Sequence, residues 1–134
     1  MSGPLFGEPI HRYTRREAIA DGVLVDVTRN ASAAEMLGGF AVPVAVTAAL
    51  WAAIEAIPER LRGIADVRGR LHDVLWMAAC AAKRCELHRT AGSCAVRVHL
   101  PVAGSRRHLQ ELVVHLGPGD AGEPVVTIGY PEDM

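Results

Sequence analysis

The stretch "VRGRLHDVLWMAACAAKRCELHRTAGSCAVRVHL" (67–100) changes the spacing of its apolar residues halfway along its length. In the first half they recur every three or four positions, which predicts a helix with one buried face. In the second half they alternate with other residues, which predicts a strand with one buried face. The predicted inward residues are Val67, Leu71, Val74, Leu75, Ala78, Ala82 and Cys85 on the helix, and Cys94, Val96, Val98 and Leu100 on the strand. This change of period predicts an α+β fold.

The alternating pattern continues in "LQELVVHL" (109–116) and "PVVTIGY" (124–130). The connections at 101–108 and 117–123 are short and contain glycine, as expected between antiparallel neighbours. The last third of the chain therefore predicts a three-stranded antiparallel meander, with one face against helices and the other partly in water.

Upstream, "YTRREAIADG" (13–22) predicts a short N-terminal helix. Thr14 and Glu17 have the spacing of a capping box, and Gly22 supplies the left-handed residue that commonly ends a helix. The β-branched residues of "VLVDVT" (23–28) then predict a strand.

Further helices are predicted in "SAAEMLGG" (32–39) and in the apolar run "VPVAVTAALWAAIEAIP" (42–58). The run reads as a buried helix that begins near Pro43 or at Thr47. Asp66 is the expected N-cap of the long helix that follows. The prediction is one domain with two longer packed helices.

The composition limits the class of protein. A chain of 134 residues fits a single domain, which we assign to 10–134, with 1–9 as a loose N-terminal segment. The formal net charge is −1, and acidic and basic residues are interspersed, which argues against direct nucleic-acid binding. The N-terminus lacks the layout of a secretory signal, the apolar runs are too short for a bilayer, and the cysteine count is odd. These features predict a cytoplasmic protein that does not enter membranes.

The cysteine-rich segment offers four possible zinc ligands: Cys80, Cys85, His88 and Cys94. Cys80 and Cys85 are five residues apart on the predicted helix, so their side chains diverge by about 140°. A reactive thiol needs a helix N-terminus or a basic environment, and Cys80 lies among alanines in the middle of the helix. We therefore predict that this segment packs, and that the protein holds no metal and no cofactor.

The outward face of the predicted meander carries polar side chains. Arg97, His99 and His115 point the same way as Glu111 and Thr127. Such a cluster suits an anion or the carboxylate of a partner, and the alternative interpretation is a solvated sheet face.

Four segments of the chain resemble a known family: "YTRREAIADGVLVDVT", "VPVAVTAALWAAI", "GRLHDVLWMAACAA" and "GPGDAGEPVVTIGYPED". The family consists of short, uncharacterised proteins encoded by bacteriophages, plasmids and other bacterial mobile elements. No catalytic motif comes with the resemblance. It implies an accessory protein in a bacterial host cell that binds a host protein, such as a CRISPR effector complex or another defence effector, and inhibits it.

Aromatic and arginine side chains usually dominate such interfaces. The candidates in this chain are Tyr13, Arg15, Arg16, Trp51, Trp76 and Tyr130, but for the two tryptophans a place in the core is the favoured prediction. The sequence leaves the oligomeric state open.

An enzymatic alternative comes from "IHRYT", followed by a short helix and "DGVL", which is similar to the opening of some ADP-ribosyltransferase-like folds. That similarity implies that His11 grips NAD and that Glu123 or Glu132 directs the transfer.

Overall fold

Five strands form one mixed sheet in the computed structural model, which describes residues 13–32, 40–87 and 91–134. The strands are β1 (Leu24–Asp26), β2 (Val44–Thr47), β3 (Gly92–His99), β4 (Leu109–Pro118) and β5 (Pro124–Gly129). The helices are α1 (Arg15–Ala20), α2 (Thr28–Ala31), α3 (Ala48–Glu55) and α4 (Val67–Arg84), with 3-10 turns at Glu59–Leu61 and Pro131–Asp133. The α+β prediction is confirmed.

The strand order in the sheet is β1-β2-β5-β4-β3. All neighbours are antiparallel except β2 and β5, which run parallel. The predicted C-terminal meander is confirmed, and its inward residues Cys94, Val96, Val98 and Leu100 are buried. The helices α2, α3 and α4 contribute to the same core as these residues.

The predicted caps are also present. Thr14 Oγ1 accepts a hydrogen bond from the Glu17 N–H (3.0 Å), and Glu17 Oε1 accepts one from the Thr14 N–H (2.9 Å). Gly22 has the left-handed φ of 79° expected after α1. Asp66 Oδ1 accepts from the Gly69 N–H (2.7 Å) at the start of α4.

Of the two helix starts predicted in the apolar run 42–58, the one at Thr47 is confirmed and the one near Pro43 is wrong. Residues 44–47 form β2, and α3 begins at Ala48 with Thr47 as the N-cap. All four residues of β2 are buried, so side chains on both faces of this strand are covered and the run lacks the alternation of a half-exposed strand. A short run of this kind has the same sequence appearance as a buried helix, and only its place in the sheet separates the two.

Two other upstream predictions differ in extent. The strand predicted at 23–28 covers only Leu24–Asp26, because Thr28 already begins α2. Ser32, predicted to start a helix over 32–39, instead ends α2 as its C-cap. Residues 33–39 and the predicted loose segment 1–9 lie outside the described residues.

A buried arginine joins α4 to its surroundings. Arg70 is 6% exposed, and its guanidinium donates to the carbonyls of Ile54 (2.8 Å), Ala53 (2.9 Å) and Pro101 (2.7 Å). The first two carbonyls belong to the last turn of α3, where a cation is favoured by the helix dipole. Arg70 therefore ties α3, α4 and the segment after β3 together.

Candidate functional site

The strand β3 forms one edge of the sheet. Within residues 13–32, 40–87 and 91–134, no strand pairs with the outer side of β3. Exposed strand edges carry unpaired N–H and C=O groups and are ready to pair with another chain. We call this side of β3 the open edge.

The backbone groups that face the open edge follow from the register. The Leu100 N–H donates to the His108 carbonyl at 2.7 Å, and the register runs on from this pair through β3 and β4. In an antiparallel ladder, hydrogen-bonded and non-hydrogen-bonded pairs alternate. The residues of β3 that turn their N–H and C=O away from β4 are therefore Ser93, Ala95, Arg97 and His99.

The side chains of the same four residues are exposed on the outer face of the sheet. Across from them, β4 places His115, Val113, Glu111 and Leu109. Arg97 Nε lies 3.8 Å from Glu111 Oε2, and Ser93 Oγ lies 2.8 Å from His115 Nδ1. We call these eight residues and the open edge together the β3–β4 surface.

The predicted cluster of Arg97, His99 and His115 does lie on one face, but it does not converge on one point. His115 pairs with Ser93, whereas His99 is six residues farther along β3, about 20 Å away. The ring of His99 stacks on His108, with centroids 6.1 Å apart. These side chains therefore spread along an elongated surface and do not surround a single small anion.

Helix α1 covers the other half of this outer face. Arg15 donates to Thr127 Oγ1 (2.7 Å) and to the Val126 carbonyl (2.7 Å) on β5. Thr127 pairs with His115, so Arg15 stands beside the β3–β4 surface. Burial lowers the pKa of the Arg15 guanidinium, and nearby carboxylates, Asp26 first, oppose that effect.

The turn between β4 and β5 holds α1 in place. The carboxylate of Asp120 accepts from the N–H groups of Arg15 (2.8 Å) and Arg16 (3.0 Å). Those two hydrogen bonds lower the pKa of Asp120. The turn "GPGDAGE" thus has a definite role in docking the first turn of α1.

Replacing Asp120 with Asn is expected to reduce stability more at pH 6 than at pH 3. A carboxyl whose pKa is lowered by folding stabilises the protein above its unfolded pKa of about 3.9, and this contribution is lost as the pH falls through the folded value. The measurement is the urea midpoint of both proteins at each pH. An equal difference at pH 6 and pH 3 would contradict the role of the charged carboxylate.

The six aromatic and arginine candidates do not form one patch. Tyr13 and Arg16 are exposed near α1, whereas Trp76 lies on α4, on the opposite side of the sheet. Trp76 is 38% exposed and stacks on His72, with ring centroids 6.1 Å apart, so its predicted core alternative is wrong. Trp51 packs partly buried against the core.

The remaining candidates have internal partners. Arg15 is engaged by β5, as described above. Tyr130 is half-buried, and its hydroxyl donates to Gln110 Oε1 at 3.1 Å. Neither side chain is available as a freely exposed anchor.

Two of the three residues of the enzymatic alternative lie in the described structure. His11 lies outside the described residues. Glu123 precedes β5 and accepts from the Ala121 N–H (2.9 Å), whereas Glu132 follows β5 at its far end. The two glutamates are alternatives for one role, and the geometry between either of them and His11 stays a prediction.

The three thiols have different environments: Cys80 is partly exposed, Cys85 is exposed and Cys94 is buried. Burial, with a hydrogen bond to Cys85, raises the pKa of Cys94 to about 11. A thiol of that pKa is a poor nucleophile at neutral pH. Among the described residues, which exclude His88, no three potential ligands are grouped for a metal ion.

Over the same described ranges, no helix has the length and apolar character needed to cross a bilayer. A family model matches residues 6–134 of the chain. No significant similarity was found to a curated protein or to a solved structure. Because the match extends over nearly the whole sequence, the chain belongs to DUF6573, a family of unknown function.

Proposed function

We propose that this protein binds a protein partner, and that the contact is made by an extended segment of the partner added to the open edge of β3. The observation that carries the proposal is the eight-residue strand β3, which pairs on one side only within the described residues. Strand addition uses main-chain hydrogen bonds for affinity and neighbouring side chains for specificity.

The β3–β4 surface suits such a partner for two further reasons. Ala95 is small and exposed in the middle of the edge, so it leaves room for a partner's side chain. Leu109 is 49% exposed at one end and offers an apolar contact beside the charged pair of Arg97 and Glu111. A mixed surface of this kind resembles the apolar centre and polar rim of a specific interface.

The resemblance to proteins of mobile elements supports a biological setting for this binding. We propose that the protein acts stoichiometrically in the cytoplasm of a bacterial host and occupies a surface of a defence protein, such as a CRISPR effector complex. Inhibition of this kind requires binding alone and no reaction catalysed by this protein. A surface built from a strand edge and paired side chains is suited to such binding.

Replacing Ala95 with Pro is expected to weaken partner binding at least about tenfold. Proline removes one N–H that faces the open edge and leaves the hydrogen bonds to β4 in place, which is why edge strands tolerate it. The matched control is Ala95→Val, which keeps the N–H and favours a strand. Tagged versions of the wild type and both variants are used to capture the partner from cells that carry the defence system.

The affinity of the captured protein for the wild type and for each variant is then measured in a surface-binding assay. Equal affinity for the Pro and Val variants, with folding intact by circular dichroism, would rule out strand addition. If Ala95→Pro instead converts a dimer of this chain into a monomer, the edge serves self-association and the proposed partner is wrong.

A further inference from the structure

Two segments that are distant in sequence enclose a cavity of about 370 Å³ at one end of the molecule. One is the segment after α3, residues 57–62, and the other is the β3–β4 connection, residues 101–108. The Ala103 N–H donates to the Ala56 carbonyl at 2.7 Å and holds the two segments together. The cavity adjoins one end of the open edge, because its lining residue His108 stacks on His99.

Four arginines belong to the two segments that form the cavity, and we call them the basic rim. Arg60 and Arg62 line the cavity itself, whereas Arg106 and Arg107 lie in the β3–β4 connection, between the lining residues Ser105 and His108. Glu59 is the one carboxylate among the described lining residues. The four arginines and Glu59 together carry a charge of +3. Because the formal net charge of the whole sequence is −1, the remaining residues carry −4.

The side chains of these four arginines form no ion pair with any residue in the described part of the chain. Among the described residues, no carboxylate pairs with the side chain of Arg60, Arg62, Arg106 or Arg107, and all four are exposed. The Arg107 N–H donates to Ser105 Oγ (3.1 Å), which leaves the proton of that hydroxyl available to an acceptor. Guanidinium groups and a hydroxyl donor together form a phosphate-binding set.

The other wall of the cavity is apolar. Ile57, Pro58, Pro101 and Val102 line it, and all four are partly buried. The volume falls within the range of small-molecule sites, about 300–1,000 Å³, and is too large for a single phosphate. A ligand that fills it needs both an anionic group and a ring or other apolar part.

Hydrogen bonds from the buried side chains of Arg70 and Gln110 fix the two segments that form the cavity. Arg70 bonds to the Pro101 carbonyl and to the end of α3. Gln110 Nε2 donates to the carbonyls of Leu100 (3.3 Å) and Arg107 (2.9 Å). A site fixed in this way loses little entropy when a ligand binds.

We propose that this cavity binds a phosphorylated small molecule of nucleotide size. The phosphates contact Arg60, Arg62 and the 106–107 pair, and the ring packs against the apolar wall. The lining of the cavity includes none of the four open-edge residues, so its ligand either adds a second activity or regulates the protein.

The test is isothermal titration with ADP, adenosine and inorganic pyrophosphate as probes. ADP is expected to bind with a Kd on the order of 10–100 μM, pyrophosphate more weakly, and adenosine at least about tenfold more weakly than ADP. Raising the salt to about 0.5 M weakens ADP binding, because exposed charges are screened.

The double variant Arg60→Gln/Arg62→Gln is expected to lose at least about tenfold in ADP affinity, since both substitutions remove a charge-assisted contact to the phosphates. The matched control Arg29→Gln/Arg84→Gln removes two exposed arginines elsewhere and stays within about twofold of the wild type. Thermal melting verifies that both variants fold.

Three outcomes would overturn the proposal. One is the lack of saturable ADP binding up to about 1 mM, and another is an unchanged affinity in the Arg60/Arg62 variant. The third is tighter binding of a 12-nucleotide single-stranded DNA than of ADP with the same variant dependence, which would make nucleic acid the ligand of this rim.

Discussion

Replacing Arg70 with methionine is expected to lower the free energy of unfolding by about 3 kcal/mol. The substitution keeps an unbranched, apolar stem in the core but removes every donor. The carbonyls of Ala53, Ile54 and Pro101 then lose their shared partner. An unsatisfied buried acceptor costs about 1–3 kcal/mol, so three of them would cost at least about 3 kcal/mol. The Pro101 carbonyl is only part-buried, so we take the lower end of that range.

Thermal and urea unfolding measure this effect, and the expected fall in Tm is about 10 °C. Burial lowers the pKa of Arg70, but an arginine stays charged at every accessible pH, so the loss is independent of pH between 5 and about 8. Arg84→Met on the same helix is the control, because that side chain is exposed and is expected to change stability by less than about 0.5 kcal/mol.

Arg70→Lys separates charge from geometry. Lysine keeps the positive charge at the end of α3 but lacks the planar fork that reaches three carbonyls at once. We expect Arg70→Lys to lower the free energy of unfolding, but by less than Arg70→Met does. A loss below about 1 kcal/mol for Arg70→Met would mean that the three carbonyls find other partners.

The sequence pattern indicates that Arg70 is buried, but it does not identify the carbonyls to which Arg70 bonds. Position 70 comes three residues after Val67 and four before Val74, so it lies on the predicted apolar face of α4. A charged residue on such a face is a signal of a buried polar contact. Its three acceptors, however, lie on segments 16 to 31 residues away, and local periodicity contains no information about them.

The elements with a clear period or cap were predictable, and those that depend on long-range pairing were not. α4, β3, β4 and β5 each show their period over most of their length, and α1 carries its own capping box. β2 lacks an alternating pattern because side chains on both of its faces are buried, and its parallel pairing with β5 joins residues about 80 positions apart.

The candidate sites depend on the same long-range information. The residues of the outer sheet face followed from alternation alone, but the open edge follows from the strand order, which places β3 last. The basic rim combines Arg60 and Arg62 with a connection more than 40 residues farther along. In the sequence these charges are interspersed with acidic ones, which is why no basic footprint was predicted.

Replacing Gly129 with Ala is expected to lower the free energy of unfolding by about 2 kcal/mol. Gly129 is buried on β5, and a Cβ there would overlap Cγ2 of Thr47 and come within 2.8 Å of its Oγ1. Thr47 cannot rotate freely away, because its Oγ1 accepts the Leu50 N–H at 3.3 Å and caps α3. This close approach explains the glycine at the last position of β5.

The partner substitution Thr47→Ser tests that explanation. Serine lacks Cγ2 but keeps the capping oxygen, so alone it is expected to cost less than about 1 kcal/mol. In the double variant Gly129→Ala/Thr47→Ser, the new methyl group takes up part of the space that Cγ2 leaves. We therefore expect the two changes to be coupled by about 1 kcal/mol in urea unfolding. Simple additivity would show that Gly129→Ala acts through the backbone of β5 and not through the contact between β2 and β5.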